Sequence, residues 1–155
     1  MRLYIGGYGQ GKLSYVLKEL HTEESCIVDE GNYKDFIDEI SYKNAASEIS
    51  SNNKSNGITV VNHLHLIVRA MMKQGCGIDE IETEIMKLAD IEDLAVICDE
   101  IGNGLIPMEH FEREYRDAVG GILQKLATKA ARVTRLVCGI GMVIKHDRTY
   151  DDKTW

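Results

Sequence analysis

An α/β fold with a mostly parallel sheet is the architecture this sequence predicts, and three observations carry it. Five short apolar runs, at residues 3–5, 26–29, 58–61, 94–98 and 133–138, contain β-branched or aromatic residues and stop at glycine or a polar side chain. Strands buried on both faces read this way. The segments between them carry apolar residues at helical spacing, and strand–helix alternation implies a parallel sheet covered on both sides. With 155 residues, 44% hydrophobic and 28% charged, the chain can bury a core without disulfide or metal staples.

Each element follows from its residues. The first run leads into a glycine-rich turn and then a helix whose Leu13, Val16, Leu17 and Leu20 keep the i, i+3, i+4, i+7 spacing. Another helix carries Ile78, Ile81, Ile85 and Leu88 on one face, with Asp79, Glu80, Glu82 and Glu84 near its positive end. The spacing predicts a long helix over 108–131, with Phe111, Tyr115, Ala118, Ile122 and Leu126 aligned. A final run at 141–145 follows Gly139 closely enough to return as a short antiparallel edge strand. The Ser- and Asn-rich stretch 47–57 reads as an exposed loop. A single domain is expected over 1–146, followed by a patternless, mobile tail over 147–155.

Charge narrows the function. Eighteen Lys+Arg stand against 25 Asp+Glu, a net charge of −7, and this balance argues against a nucleic-acid or membrane-surface partner. No signal core or membrane-length apolar stretch is present, so a cytoplasmic location is expected. Cys26, Cys76, Cys98 and Cys138 form no Cys-x-x-Cys pair and read as buried free thiols.

The segment Gly6-Gly7-Tyr8-Gly9-Gln10-Gly11-Lys12-Leu13 fits G-x-x-x-x-G-K, a phosphate-binding loop, between a predicted strand and a predicted helix. Its glycines let backbone N–H groups approach an anion, Lys12 reaches the outer phosphates, and the helix adds its positive end. Gly6, Gly7, Gly9, Gln10, Gly11, Lys12, Leu13 and Ser14 are therefore the candidate nucleotide-binding residues. Leu13 stands where a Ser or Thr hydroxyl would ligate Mg²⁺. Ser14 is displaced by about 100° around the helix. The run Leu94-Ala95-Val96-Ile97-Cys98 ends in Asp99 and Glu100, an arrangement in which Asp99 can hold Mg²⁺ and Glu100 can act as a base. Lys12, Asp99 and Glu100 are the candidate catalytic residues, and GTP or ATP is the expected cofactor.

The stretch Cys98-Asp99-Glu100-Ile101-Gly102-Asn103-Gly104-Leu105-Ile106-Pro107 resembles the N-E-V-G-x-G-I-V-P signature of the adenosylcobinamide kinase/adenosylcobinamide-phosphate guanylyltransferase family of cobalamin biosynthesis. Arg113-Glu114-Tyr115-Arg116-Asp117-Ala118-Val119-Gly120 resembles its R-x-F-R-D-x-x-G. Gln124 fits its N-Q pair, and Gly139-Ile140-Gly141 with Ile144-Lys145 its G-I-G. The resemblance implies a three-layer RecA-like P-loop domain, often a trimer. It also implies phosphorylation of cobinamide from a nucleoside triphosphate, then GMP transfer through a guanylylated histidine. A nucleotide and a cobinamide-type corrinoid are thus the implied partners, with Arg116 and Asp117 as matched signature positions.

The chain also departs from the pattern. Residues 32–56 contain neither His nor Arg, although the guanylylated His of the family lies in the corresponding region. Leu123 replaces the Asn of the N-Q pair, and Asn62 replaces an acidic residue. His63 and His65 follow the third strand at i, i+2, where a helix would face them in different directions. Kinase chemistry is therefore the expected activity, guanylyl transfer is not, and the alternative is a catalytically inactive nucleotide-binding regulator or scaffold.

Overall fold

The computed structural model describes residues 1–21, 27–46, 58–105 and 107–146. Cys26, Ile106, the 47–57 stretch and the 147–155 tail lie outside the described residues, so the expectations for them are not addressed by it.

The elements run β1 (Arg2–Gly6), α1 (Lys12–Leu20), β2 (Ile27–Val28), α2 (Tyr33–Ala46), β3 (Thr59–Val61), α3 (Leu64–Lys73), α4 (Ile78–Met86) with a 3₁₀ turn Lys87–Asp90, β4 (Leu94–Asp99), α5 (His110–Lys129), β5 (Arg132–Val137) and β6 (Ile140–His146). The six strands form one sheet in the order β2-β3-β4-β1-β5-β6. All neighbouring pairs are parallel except β5–β6, which is antiparallel. The expected three-layer α/β architecture with an antiparallel edge strand is therefore present. The edge strand is longer than its sequence suggested, because pairing with β5 starts directly at the Cys138–Gly139 turn and runs from Ile140 to His146. Helix α4 is shorter than its apolar repeat, since the chain tightens into the 3₁₀ turn that carries buried Leu88. Helices α2 and α3, not singled out from the sequence, carry the same i, i+3, i+4, i+7 spacing in Tyr33, Phe36, Ile37 and Ile40 and in Leu64, Ile67, Val68 and Met71.

Strand alternation divides the core into two layers. Leu3, Val61, Val96, Cys98 and Val133 face α3, α4 and α5, where Leu64, Ile67, Ile81, Ile85, Val119, Ile122 and Leu126 are buried. Tyr4, Val60, Ala95, Ile97 and Leu136 face α1, against Val16 with Leu13, Leu17 and Leu20. Every residue of β4 is buried, the mark of a central strand covered on both faces.

Connectivity places the site. The chain leaves β1 toward β2 on one side of the sheet and leaves β4 toward β5 on the other. The crevice between the carboxyl ends of β1 and β4 is thus the topological switch point, where α/β sheets take their ligands. The Glu100 N–H donates to the Gly6 carbonyl at 2.9 Å and ties the two ends together.

Candidate functional site

The glycine loop spans the crevice, and its conformation explains its composition. Gly9 and Gly11 have φ of 69° and 72°, values that cost an L-residue roughly 1–2 kcal/mol. Gly6 is small for a different reason: a Cβ there would lie 2.5 Å from the Leu136 carbonyl oxygen of β5. Its role is strand packing, and an approaching anion is not needed to explain it. Helix α1 starts at Lys12 after Gly11 with no side-chain cap, leaving its first-turn amides to a ligand or solvent. The Gln10 carbonyl accepts from Gly139 N–H at 3.2 Å, and Gln10 Oε1 accepts from Cys138 N–H. Gln10 therefore fastens the loop to the β5–β6 turn. Nothing in its sequence context signals that partner, 128 residues away.

Lys12 folds back into the loop. Its Nζ donates to the Gly7 carbonyl at 2.7 Å and lies 2.7 Å from Asp99 Oδ1, with the two side chains 6% and 8% exposed. Apart from the ammonium, Asp99 Oδ1 has no hydrogen-bond partner. Glu100 turns the other way. Its Oε2 accepts from Arg135 Nη2 at 3.0 Å and Nε at 3.3 Å, and from Asn103 Nδ2 at 3.4 Å. The structure thus brings Lys12 and Asp99 together and sends the Glu100 carboxylate to β5. Arg135, a charged residue within β5 at the register of Ile5 beside the Gly6–Glu100 tie, is the signal that could have revealed this pairing.

Leu13 packs into the α1 layer of the core, so its side chain is structural. Ser14 is exposed on α1.

The two histidines do not diverge as i, i+2 positions on a helix would. His63 is the N-cap of α3, with φ of 51°, and that left-handed step brings its ring edge-on to His65 at 5.6 Å. His65 reaches β4: its Nδ1 accepts from Asp99 N–H at 3.3 Å, and its Nε2 lies 3.8 Å from Asp99 Oδ2. An acceptor Nδ1 places the proton of a neutral ring on Nε2, facing the carboxylate. Burial holds the His65 pKa below its ordinary value, opposed by the Asp99 charge. Tyr115 OH donates to the His65 carbonyl at 2.9 Å and anchors the start of α3. His63 Nδ1 receives the Asn62 side-chain amide at 3.2 Å, while Asn62 Oδ1 is buried without a hydrogen-bond partner.

The signature arginines brace the loop after β4. Arg116 donates to the carbonyls of Gly102 and Leu105, and Arg113 to those of Pro107 and Met108. Both arginines lie on α5, one turn apart, as their spacing implied. Asp117 is exposed. Gly141 lies under Tyr15, whose hydroxyl would stand 2.4 Å from a Cβ at that position. The cysteine expectation needs correction. Cys98 is buried, Cys76 is half-buried and Cys138 is exposed, all three as free thiols. Cys138 occupies the β5–β6 turn at φ of 52°, a corner that points its thiol outward.

No helix among the described residues is long and apolar enough to cross a membrane. Comparison with known proteins matches residues 34–144 to the family model described as cobinamide kinase / cobinamide phosphate guanyltransferase. The match begins after the glycine loop, so the loop stands on its own geometry. Two curated relatives are the bifunctional adenosylcobalamin biosynthesis proteins CobU of Salmonella typhimurium and Escherichia coli. Each is 36% identical over 52 residues, which is 34% of this chain and 29% of the relative's own length. The family match takes in β4, the arginine-braced loop, α5 and the β5–β6 turn, the parts that build the carboxyl edge of the sheet. The chain belongs to the cobinamide kinase / cobinamide phosphate guanyltransferase family.

Proposed function

We propose that this chain is a nucleoside-triphosphate-dependent phosphotransferase whose acceptor is a cobinamide-type corrinoid. One observation carries the reading: the Lys12 ammonium is held inside a glycine loop, at the uncapped start of α1 and at the switch point of a parallel sheet. A polyphosphate fits such a place because backbone dipoles and one ammonium converge on it. In this reading Lys12 and the amides of residues 7–14 bind GTP or ATP. Lys12 and the loop amides neutralise the transferring group, with Asp99 beside Lys12 and Glu100 turned to Arg135, and phosphoryl transfer needs little beyond positioning and neutralisation.

Mg²⁺ held by the protein does not fit the donor set. Leu13 is committed to the core and offers no oxygen at the position after Lys12. Among the described residues no three His, Cys, Asp or Glu side chains converge on a point. Asp99 in this proposal is held between Lys12 and His65 and is not assigned the Mg²⁺ ligation read from its sequence position.

Guanylyl transfer through a phosphohistidine is outside the proposal. A nucleophilic imidazole needs an unprotonated nitrogen facing phosphorus. His63 and His65 each use Nδ1 to accept a protein N–H, and neutral rings then carry the proton on Nε2. Residues 32–56 supply no histidine.

A second reading, nucleotide binding without transfer in a regulator or scaffold, is favoured by Leu13 at the hydroxyl position. Self-association, trimeric as the resemblance implies, is supported by β6, where Ile140, Met142 and Ile144 are 73%, 53% and 55% exposed.

The test is thermal unfolding with GTP, ATP, their diphosphates and cobinamide, each with and without Mg²⁺, followed by mass detection of phosphorylated cobinamide. A nucleotide-dependent rise in Tm with phosphorylated product is expected. A rise without product favours the second reading. No rise with either nucleotide overturns both.

A further inference from the structure

We infer that Asp99 is an internal stand-in for phosphate: it occupies Lys12 and must be displaced from it, toward His65, when a phosphate group binds. The inference rests on the phosphate-loop reading and adds the regulation of that site. Three observations carry it.

First, the protein itself engages two of the three N–H donors of Lys12. Its Nζ has the Gly7 carbonyl and Asp99 Oδ1, both at 2.7 Å, and it is nearly removed from solvent. An anion that reaches the third N–H lies beside the Asp99 carboxylate, and like-charge repulsion in that poorly solvated place drives the carboxylate off Lys12.

Second, the carboxylate has somewhere to go. Asp99 Oδ2 lies 3.8 Å from His65 Nε2, the nitrogen that carries the proton when Nδ1 accepts the Asp99 N–H. A modest side-chain rotation exchanges the Lys12 ammonium for that N–H donor without exposing the carboxylate.

Third, the exchange needs no backbone movement at β4. The Asp99 amide is fixed by His65, and the next amide, Glu100 N–H, is fixed by Gly6 at 2.9 Å. The Glu100 carboxylate is held by Arg135 and does not compete for Lys12. The arrangement acts as a filter on ligand charge. A weak single-charge anion does not repay the lost ion pair, whereas a polyphosphate, engaging Lys12 and several loop amides together, does.

Pyrophosphate is the probe, titrated calorimetrically into the full chain without Mg²⁺, with wild type compared against Asp99→Asn. Removing the competitor is expected to tighten pyrophosphate binding by about tenfold and to let inorganic sulfate bind measurably. The control is Glu80→Gln, which removes one charge from an exposed position on α4 and is expected to change Kd less than about twofold. Unchanged or weaker binding by Asp99→Asn overturns the inference while leaving the phosphate loop intact. An equal gain in Glu80→Gln also overturns it, since net charge would then explain the effect. Absence of binding in both wild type and Asp99→Asn overturns the phosphate loop and the inference together. Should Asp99→Asn not fold, Asp99→Ser removes the same charge with a smaller side chain and reads the same outcomes.

Discussion

Asp99 and His65 meet twice, once through the Asp99 amide on Nδ1 at 3.3 Å and once through the carboxylate near Nε2 at 3.8 Å. The first contact fixes the ring's neutral form, and the second places a charge beside it.

Stability should therefore depend on pH through His65. Burial lowers its folded-state pKa below the unfolded value of about 6.5, so the unfolded chain binds the extra proton first. The neutral ring's contribution is fully present above that value and is lost as pH falls through the lowered folded pKa. Urea unfolding from pH 8 to pH 5 should show this decline, and His65→Gln should flatten part of it. An identical profile in the variant would refute the assignment.

Breaking the Lys12–Asp99 pair from the lysine side should be costly. Lys12→Met leaves a buried carboxylate with the His65 N–H as its remaining partner, a loss of about 3 kcal/mol. Nucleotide-dependent protection should disappear with it. Denaturant titration and thermal shift check the two halves separately.

The glycines of the loop should differ in kind. Gly6→Ala drives a Cβ to 2.5 Å from the Leu136 oxygen and should lower stability by about 1–3 kcal/mol or more. Gly9→Ala meets no atom within 4 Å and should cost only the left-handed backbone, about 1–2 kcal/mol. Measuring both by urea unfolding separates packing from conformation.

Leu13→Ser should lose stability, because an apolar contact of α1 with the sheet is removed. It should also make nucleotide binding more responsive to Mg²⁺ by restoring a hydroxyl. Calorimetry with and without Mg²⁺ tests the second effect, and equal responses in wild type and variant would count against it.

Thiol labelling should discriminate sharply between cysteines. Burial pushes the Cys98 thiol up to about 12, whereas Cys138 is exposed, so a thiol reagent should modify Cys138 rapidly and leave Cys98 intact until the chain unfolds. Peptide mass mapping of a timed reaction reads this directly.

Strand–helix alternation, the glycine loop and the amphipathic faces of α1, α4 and α5 were legible in the sequence because each depends on local dihedral preference or on side-chain period. The same local logic put Leu13 in the core and Lys12 in the loop. Partnerships across the sheet were decided only by tertiary structure. Asp99 and Glu100 are neighbours in sequence, yet strand geometry sends one carboxylate to Lys12 and His65 and the other to Arg135. His63 and His65 meet because a left-handed cap, invisible to periodicity, turns one ring onto the other. Gln10 reaches Cys138 because β5 lies beside β1. Such contacts join residues far apart in the chain, and their geometry is set by strand order and register, which no short window of sequence contains.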